Sequence, residues 1–203
     1  PYRPLTIEQY ADDVGGLMQQ LGIPRADFLG ESYGGVAAVM IAVRQPELVR
    51  RVATYGATFG PPQVAHNAEM VRFDRPPTAD SREFAFQRES YRRVAPDPDN
   101  WPRIWDKVAN LVWEGFSKEE LASIKAPVLI ALGDRDFVRL GHAVETLSLI
   151  PNAELAVIPD AGHFALMSEQ ERVIPIVEHF LEKPAKRNPV ATAGMGYHPG
   201  ETR

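Results

Sequence analysis

The amino-acid sequence predicts an α/β protein built on a mainly parallel sheet of about four strands with flanking helices. Short apolar strand candidates alternate with helix-like segments, a pattern typical of parallel strands joined by helical crossovers. One long segment, residues 57–118, interrupts this alternation and shows no strand pattern. It contains several prolines and all three tryptophans, which favours an inserted group of short helices.

Residues 1–56 are predicted to form the first part of the core. Apolar residues between positions 6 and 21 recur every three or four residues, as they do on one face of a helix. Thr6 and Gln9 have the spacing of a helix-capping pair. Two strands are then expected at 26–30 and 49–55, separated by a helix over 36–45.

Residues 119–182 are predicted to form the second part of the core. Strand candidates lie at 128–132 and 155–158, and helix candidates at 141–149 and 169–181. The remaining residues, 183–203, are rich in Pro, Gly and basic side chains and are expected to form a disordered tail. Within the insertion, three tryptophans recur at spacings of four and eight, which predicts one shared helical face: Trp101, Trp105 and Trp113.

The composition excludes several classes of function. Hydrophobic residues make up 44% of the chain and charged residues 24%, which is typical of globular domains. No apolar run reaches the roughly 18 residues of a membrane-spanning helix. A net charge of −5 argues against nucleic acid or an anionic membrane surface as a partner. The chain has no cysteine, so disulfides and thiolate chemistry are excluded, but this does not assign a cellular compartment.

The segment Gly30–Gly34 matches the pattern G-x-S-x-G between a strand candidate and a helix candidate. In this context the serine lies at the apex of a sharp strand-to-helix turn with its hydroxyl exposed. We expect the glycines to let the turn close without a Cβ clash. The helix that follows presents free backbone N–H groups, which stabilise an oxyanion. Ser32 is therefore the candidate nucleophile.

A serine nucleophile needs a histidine as base and an acid that orients it. Among the five histidines, His163 lies in a loop directly after the last strand candidate, where parallel sheets place their ligands. His142 is a less favoured candidate at the start of a helix. Asp134 and Asp136 both follow the strand at 128–132, and the residues alone leave the choice between them open.

The chain resembles the C-terminal part of an α/β-hydrolase-fold enzyme of the esterase, C–C hydrolase and haloperoxidase-like group. The order Ser, Asp, His along the chain is the one found in that fold. The resemblance covers about residues 5–182, and its matching segments are 6–13, 30–35, 127–138 and 161–164. It implies that residues 57–118 are the cap inserted between the two halves of the sheet.

The resemblance also implies residue roles. Ser32 corresponds to the nucleophile, His163 to the general base, and the backbone N–H of Tyr33 to one oxyanion donor. Asp136 matches the fourth position of the family's G-x-x-D pattern and so the acid, with Asp134 as the alternative. About four further N-terminal strands and a loop with the second oxyanion donor belong to the family. Neither is found in this sequence, so we expect a fragment or a truncated relative.

The reaction implied is hydrolysis of a small carboxylic ester through an acyl-enzyme, with a small-molecule substrate. C–C bond hydrolysis and perhydrolase chemistry use the same triad and remain alternatives, as do a noncatalytic ligand-binding relative and an inactive fragment. A serine at the elbow argues against dehalogenases and epoxide hydrolases of this fold, which use a carboxylate. No cofactor or metal is expected, because the sequence has no metal-ligand spacing, phosphate loop or dinucleotide fingerprint. The oligomeric state and the particular substrate stay open.

Overall fold

The computed structural model describes residue 3, residues 5–71 and residues 77–183. The predicted disordered tail therefore lies outside the described residues, apart from residue 183. Within these ranges, no helix combines the length and the apolar character needed to cross a membrane.

The centre of the structure is a sheet of four parallel strands in the order β1-β2-β3-β4. The strands are β1 Ala26–Glu31, β2 Val49–Tyr55, β3 Val128–Gly133 and β4 Ala153–Ile158. The predicted fold class is confirmed, and the strand boundaries differ from the predicted ones by two residues or fewer. Because all strands run the same way, their carboxyl ends meet at one edge of the sheet.

Helices connect and cover the strands. The helices are α1 Ile7–Gln20, α2 Tyr33–Arg44, α3 Pro62–Ala65, α4 Ala85–Val94, α5 Trp101–Ala109, α6 Lys118–Ser123, α7 Leu140–Leu149, α8 Ala165–Ser168 and α9 Gln170–Glu182. The predicted cap of α1 is present, since the Thr6 hydroxyl accepts a hydrogen bond from the Gln9 N–H at 3.1 Å. This bond satisfies one of the free amides of the first turn.

The two central strands of the sheet, β2 and β3, are buried on both faces. Successive residues of β2 enter different apolar clusters, with Val52 in one and Ala53 in the other. Helix α2 contributes Val39 and Ile41 to the first cluster, and α9 contributes Phe180 to the second. Two-sided burial explains why β3 is apolar throughout rather than alternating, since a parallel sheet covered by helices has no solvated face.

The tryptophans of residues 57–118 divide between two places. Trp101 and Trp105 lie on α5 with ring centroids 6.1 Å apart. Trp113 follows the helix and belongs to the first core cluster, where its indole N–H donates to the Thr58 carbonyl at 3.0 Å. The prediction of one shared helical face is therefore wrong for Trp113, because α5 ends at Ala109. The role of this segment as a cap stays a prediction.

Candidate active site

Ser32 lies at the turn between β1 and α2 with φ 52° and ψ −123°. A positive φ strains any residue with a Cβ and persists only where its surroundings impose it. Here the Ser32 N–H donates to the Tyr55 carbonyl of β2 at 2.9 Å. Its carbonyl accepts from the N–H groups of Gly35 and Val36 at 3.0 and 3.1 Å. The elbow is thus held by backbone contacts on both sides of the serine.

The elbow needs only one of the two glycines that define the motif, together with a third glycine that the motif does not include. A Cβ on Gly30 would lie 2.3 Å from the backbone of Gly34, and one on Gly35 would lie 2.8 Å from the Ala57 Cβ. Nothing lies within 4 Å of a Cβ built on Gly34. The steric expectation is therefore correct for Gly30 and wrong for Gly34, and the second required glycine is Gly35.

The first backbone amides of α2 face the region beyond Ser32. Those of Gly35 and Val36 bond to the Ser32 carbonyl. The amides of Tyr33 and Gly34 make no hydrogen bond to another described residue, as is usual for the first turn of a helix. The Tyr33 amide is thus free to donate, and its role at an oxyanion stays a prediction.

Asp136 and His163 form a buried pair. The Asp136 Oδ1 lies 2.9 Å from the His163 Nδ1, and the two side chains are 0% and 7% exposed. The Val138 N–H also donates to this Oδ1 at 2.9 Å, which fixes the carboxylate. Asp134 has a side chain that is 37% exposed and lies 3.9 Å from Arg135. Of the two candidate acids, the structure brings only Asp136 to His163.

The loops that carry this pair are joined directly by backbone contacts. The Arg135 N–H donates to the Ala161 carbonyl at 3.0 Å. The Asp134 N–H donates to the carbonyl of Ile158, the last residue of β4, at 3.1 Å. At the end of β3, a Cβ on Gly133 would lie 1.8 Å from the Ala161 oxygen. The close approach of the two loops therefore requires glycine at position 133.

Two residues at the end of β2 support the pair and were missed from the sequence. Gly56 has φ +60°, and a Cβ there would lie 2.8 Å from the His163 Nδ1 and 2.9 Å from the Asp136 Oδ2. The Tyr55 hydroxyl donates to the Gly162 carbonyl at 2.8 Å. Burial raises the pKa of Tyr55, and the nearby Asp136 adds to that effect, so the hydroxyl keeps its proton. A glycine directly after a strand's carboxyl end was the available signal.

Aromatic rings surround the His163 imidazole. Phe137 stacks at a centroid distance of 4.0 Å, and Phe164 packs edge-on at 5.1 Å. His66 lies edge-on to Phe137 at 4.9 Å. Burial lowers the pKa of His66, as does the nearby His163, while Asp136 opposes the effect. The sequence had placed His66 in the insertion without a role.

The start of the insertion is bonded to the loop that carries Asp136. The Asn67 N–H donates to the Phe137 carbonyl at 2.7 Å, and the Arg139 N–H donates to the Ala65 carbonyl at 2.9 Å. The Arg139 guanidinium also donates to the Val64 carbonyl at 2.9 Å. The segment around α3 and the Asp136 loop thus form one bonded unit.

His142 has a different environment. Its Nε2 accepts hydrogen bonds from the N–H groups of Phe59 and Gly60 at 3.1 and 3.2 Å. Burial lowers the pKa of His142, which keeps this nitrogen free to accept. These contacts hold the backbone after β2 and are not made to the Asp136–His163 pair.

Glu31 adjoins Ser32 and carries an unpartnered carboxylate oxygen. Its Oε1 is buried without a hydrogen-bond partner among the described residues. Burial raises the pKa of Glu31, the nearby His163 opposes this, and Asp136 adds to it. The sequence left Glu31 without a role, and the structure places it within electrostatic reach of the Asp136–His163 pair.

The arrangement can support general base chemistry next to a hydroxyl. Ser32 and His163 lie at the same edge of the sheet, but no described hydrogen bond joins the Ser32 hydroxyl to the imidazole. Such bonds often tighten only when substrate binds. No group of three or more potential metal ligands of the His, Cys, Asp or Glu type occurs in the described parts of the chain.

Comparison with known proteins identifies the class. The model of the alpha/beta hydrolase family matches residues 1–176. The chain therefore belongs to the alpha/beta hydrolase family, as the strained elbow and the Asp–His pair at the carboxyl edge suggested.

One curated relative and two solved structures illustrate which members of the family this chain is similar to. The chain is 26% identical over 192 residues to a 2-hydroxymuconate semialdehyde hydrolase of Pseudomonas putida, covering 82% of this chain and 66% of that protein. The chain thus spans just under two thirds of the length of this curated relative. An enol-lactonase structure from Burkholderia xenovorans LB400 aligns with a TM-score of 0.66 and 24% identity, over 90% of this chain and 75% of that one. The carboxylesterase CesB of Bacillus subtilis aligns with a TM-score of 0.65 and 22% identity, over 90% and 68%. The two structures show the shared fold.

Proposed function

We propose that the protein is a serine hydrolase that cleaves a small carboxylic ester through Ser32, His163 and Asp136. The observation that supports this most directly is the buried 2.9 Å contact between Asp136 and His163 at the edge where the strained Ser32 elbow ends β1. A buried carboxylate on one ring nitrogen leaves the other nitrogen as a proton acceptor. No cofactor is needed for this chemistry.

The mechanism follows from these positions. The Ser32 Oγ attacks the ester carbonyl while the His163 Nε2 takes its proton, and Asp136 stabilises the imidazolium that forms. Negative charge develops on the carbonyl oxygen, and the Tyr33 amide at the start of α2 donates to it. His163 then returns the proton to the departing alcohol. Water repeats the sequence on the acyl-enzyme and releases the acid.

A second candidate is C–C bond hydrolysis. The Pseudomonas putida relative is a 2-hydroxymuconate semialdehyde hydrolase, and it aligns over most of this chain. The same three side chains serve both reactions, so the substrate distinguishes them. We favour the ester because an alcohol oxygen is a better leaving group than a carbon, so ester cleavage needs no further group to stabilise what leaves.

Labelling with a fluorophosphonate probe tests the nucleophile. We expect the protein to be labelled at Ser32, and Ser32→Ala to abolish both labelling and hydrolysis of p-nitrophenyl acetate. Ser148→Ala is the matched control, because the Ser148 hydroxyl bonds only to the Glu145 carbonyl on α7. Labelling that persists in Ser32→Ala would contradict the assignment. A folded protein that is never labelled would favour a noncatalytic, ligand-binding role.

A parallel assay separates the two reactions. Turnover of p-nitrophenyl acetate is compared with turnover of 2-hydroxymuconate semialdehyde at matched concentrations. We expect the ester to be the better substrate by kcat/KM. The opposite ranking, with both activities lost in Ser32→Ala, would replace ester hydrolysis with C–C hydrolysis while keeping the nucleophile.

A further inference from the structure

An apolar cavity opens beside His163. Three large apolar side chains around it are strongly exposed: Phe86 at 63%, Phe164 at 50% and Met167 at 41%. Together with Gln87 and Ser168 they line a space of about 390 Å³. Such a concentration of exposed apolar groups in a concave site is typical of ligand binding.

The two walls of this cavity come from different parts of the molecule. Phe86 and Gln87 belong to α4 in the insertion, and the other wall runs from Phe164 to Ser168 through α8. Phe164 directly follows His163 in the chain, and their rings pack at 5.1 Å. The Ser168 hydroxyl donates to the Phe164 carbonyl at 3.1 Å. This polar group of the wall therefore has a hydrogen-bond partner within the wall. One wall of the cavity, Phe164, therefore packs against the proposed general base, and the opposite wall is formed by α4.

The direction of proton transfer decides which part of a substrate reaches this space. His163 must come within hydrogen-bond reach of the leaving oxygen in order to protonate it. The carbonyl oxygen instead faces the Tyr33 amide at the start of α2. The group attached to the leaving oxygen therefore extends on the His163 side. This inference rests on the proposed function.

We propose that the cavity binds the apolar alcohol portion of the ester substrate, such as a benzyl or medium-length alkyl group. A closed apolar cavity of about 150 Å³ is large enough to hold benzene. The space of about 390 Å³ here accommodates such a group with room to spare. The site thus selects esters by the alcohol they release.

Two ester series test the selection. In acetate esters of alcohols from ethyl to hexyl, kcat/KM is expected to rise about three- to fourfold per methylene, the effect of burying one CH₂ group. Methyl esters of acids from acetate to hexanoate are expected to rise less. Equal slopes in the two series would overturn the assignment to the alcohol.

Variants of the cavity wall locate the effect. Phe86→Ser and Met167→Ser are expected to reduce the slope of kcat/KM against chain length in the alcohol series more than in the acid series. Both residues are exposed, so we expect little effect on folding. Val94→Ser is the matched control, because Val94 lies on the same helix, is 82% exposed and does not line the cavity. A control that flattens the series as much as Phe86→Ser would overturn the proposal.

A binding measurement separates this proposal from the proposed function. Benzyl alcohol is titrated into protein carrying ¹³C-methyl methionine, and the Met167 methyl resonance, assigned with Met167→Leu, is followed by NMR. We expect the Met167 resonance to shift saturably, and we expect the affinity for benzyl alcohol obtained from this shift to fall at least fivefold in Phe86→Ser. Met70, which is 51% exposed and does not line the cavity, serves as the reference.

Each outcome of the titration has one meaning. A saturable Met167 shift in a protein that hydrolyses no ester would support the cavity and overturn the proposed function. Ester hydrolysis without a Met167 shift, or with an equal shift at Met70, would overturn the cavity assignment and leave the proposed function standing.

Discussion

Ser32 and the Asp136–His163 pair lie at the same edge of the sheet, but different contacts fix their positions. The conformation of Ser32 is set by backbone contacts within the elbow and by one hydrogen bond that its N–H donates to the Tyr55 carbonyl of β2. It therefore follows largely from a short stretch of sequence. Asp136 and His163 are 27 residues apart in the chain and meet because two loops dock on each other. The position of the proposed nucleophile thus depends on local backbone strain, and the positions of the proposed base and acid depend on tertiary packing.

The largest expected effect comes from removing the charge in the docked pair. Asp136→Asn should lower turnover by about 10³- to 10⁴-fold, because the imidazole loses the carboxylate that sets its tautomer. Asp134→Asn is the matched control and should change turnover less than about threefold, since its side chain is partly exposed and does not reach His163. Steady-state kinetics on p-nitrophenyl acetate measures both. The reverse ranking would make Asp134 the acid.

The stability of the elbow should be sensitive to a side chain added at one of its glycines. Gly30→Ala should lower the free energy of unfolding by about 3 kcal/mol, because the new Cβ meets backbone that cannot move aside. Gly34→Ala should cost less than about 0.5 kcal/mol, since the space beside it is open. Urea denaturation of both variants measures the difference. Equal losses would show that the motif glycine at 34 is also sterically required.

Gly56 lies against the Asp136–His163 pair, and two glycine variants separate the effect of backbone strain from the effect of this contact. Gly56→Ala should lower turnover about 100-fold, because its Cβ would push the His163 and Asp136 side chains away from their present positions. Gly22 has a similar φ of +67° but open surroundings. Gly22→Ala should therefore cost about 1–2 kcal/mol of stability with unchanged turnover. If Gly22→Ala also lost activity, general destabilisation would explain both results.

Tyr55 tests how far the loop docking depends on one hydrogen bond. Tyr55→Phe should reduce the free energy of unfolding by about 1–3 kcal/mol, because it leaves the Gly162 carbonyl without its donor. Turnover should fall about tenfold through displacement of His163. Tyr91→Phe removes an exposed hydroxyl bond to the Asp97 carbonyl and should cost less than about 0.5 kcal/mol. Thermal unfolding and kinetics of both variants give the comparison.

The smallest effect is expected from Glu31 and appears as a pH dependence. Burial raises the pKa of Glu31 in the folded protein above its ordinary value of 4.5. The folded state therefore holds this proton more tightly, and ionisation of Glu31 destabilises the fold as pH rises above about 4.5. Glu31→Gln removes that loss, so its stability relative to wild type should increase between pH 4.5 and 7. Urea denaturation at each pH measures the trend, and Glu178→Gln, at an exposed position on α9, is the matched control.

The sequence was sufficient wherever the structure is decided locally. The strands, the long helices and the elbow around Ser32 follow from hydrophobic period and turn chemistry, and the structure has them close to their predicted bounds. Asp136 could be preferred over Asp134 only through the family resemblance. The sequence around Asp134 and Asp136 does not reveal which of the two carboxylates faces the loop that carries His163.

What the sequence did not reveal depends on contacts between distant segments. The approach of Gly133 to Ala161 and the position of Gly56 under His163 are tertiary contacts that leave no periodic signal. Trp113 was misassigned because its spacing from Trp105 fits a helix, although α5 ends at Ala109. Exposed positions such as Phe86 carry no pattern that distinguishes a cavity wall from ordinary surface.

The bonded unit formed by α3 and the Asp136 loop has a mechanical consequence. Backbone hydrogen bonds tie residues 65 and 67 to residues 139 and 137, so this end of the insertion is fixed to the loop that carries Asp136. A displacement of α3 would therefore reach the Asp136 carboxylate and its contact with His163.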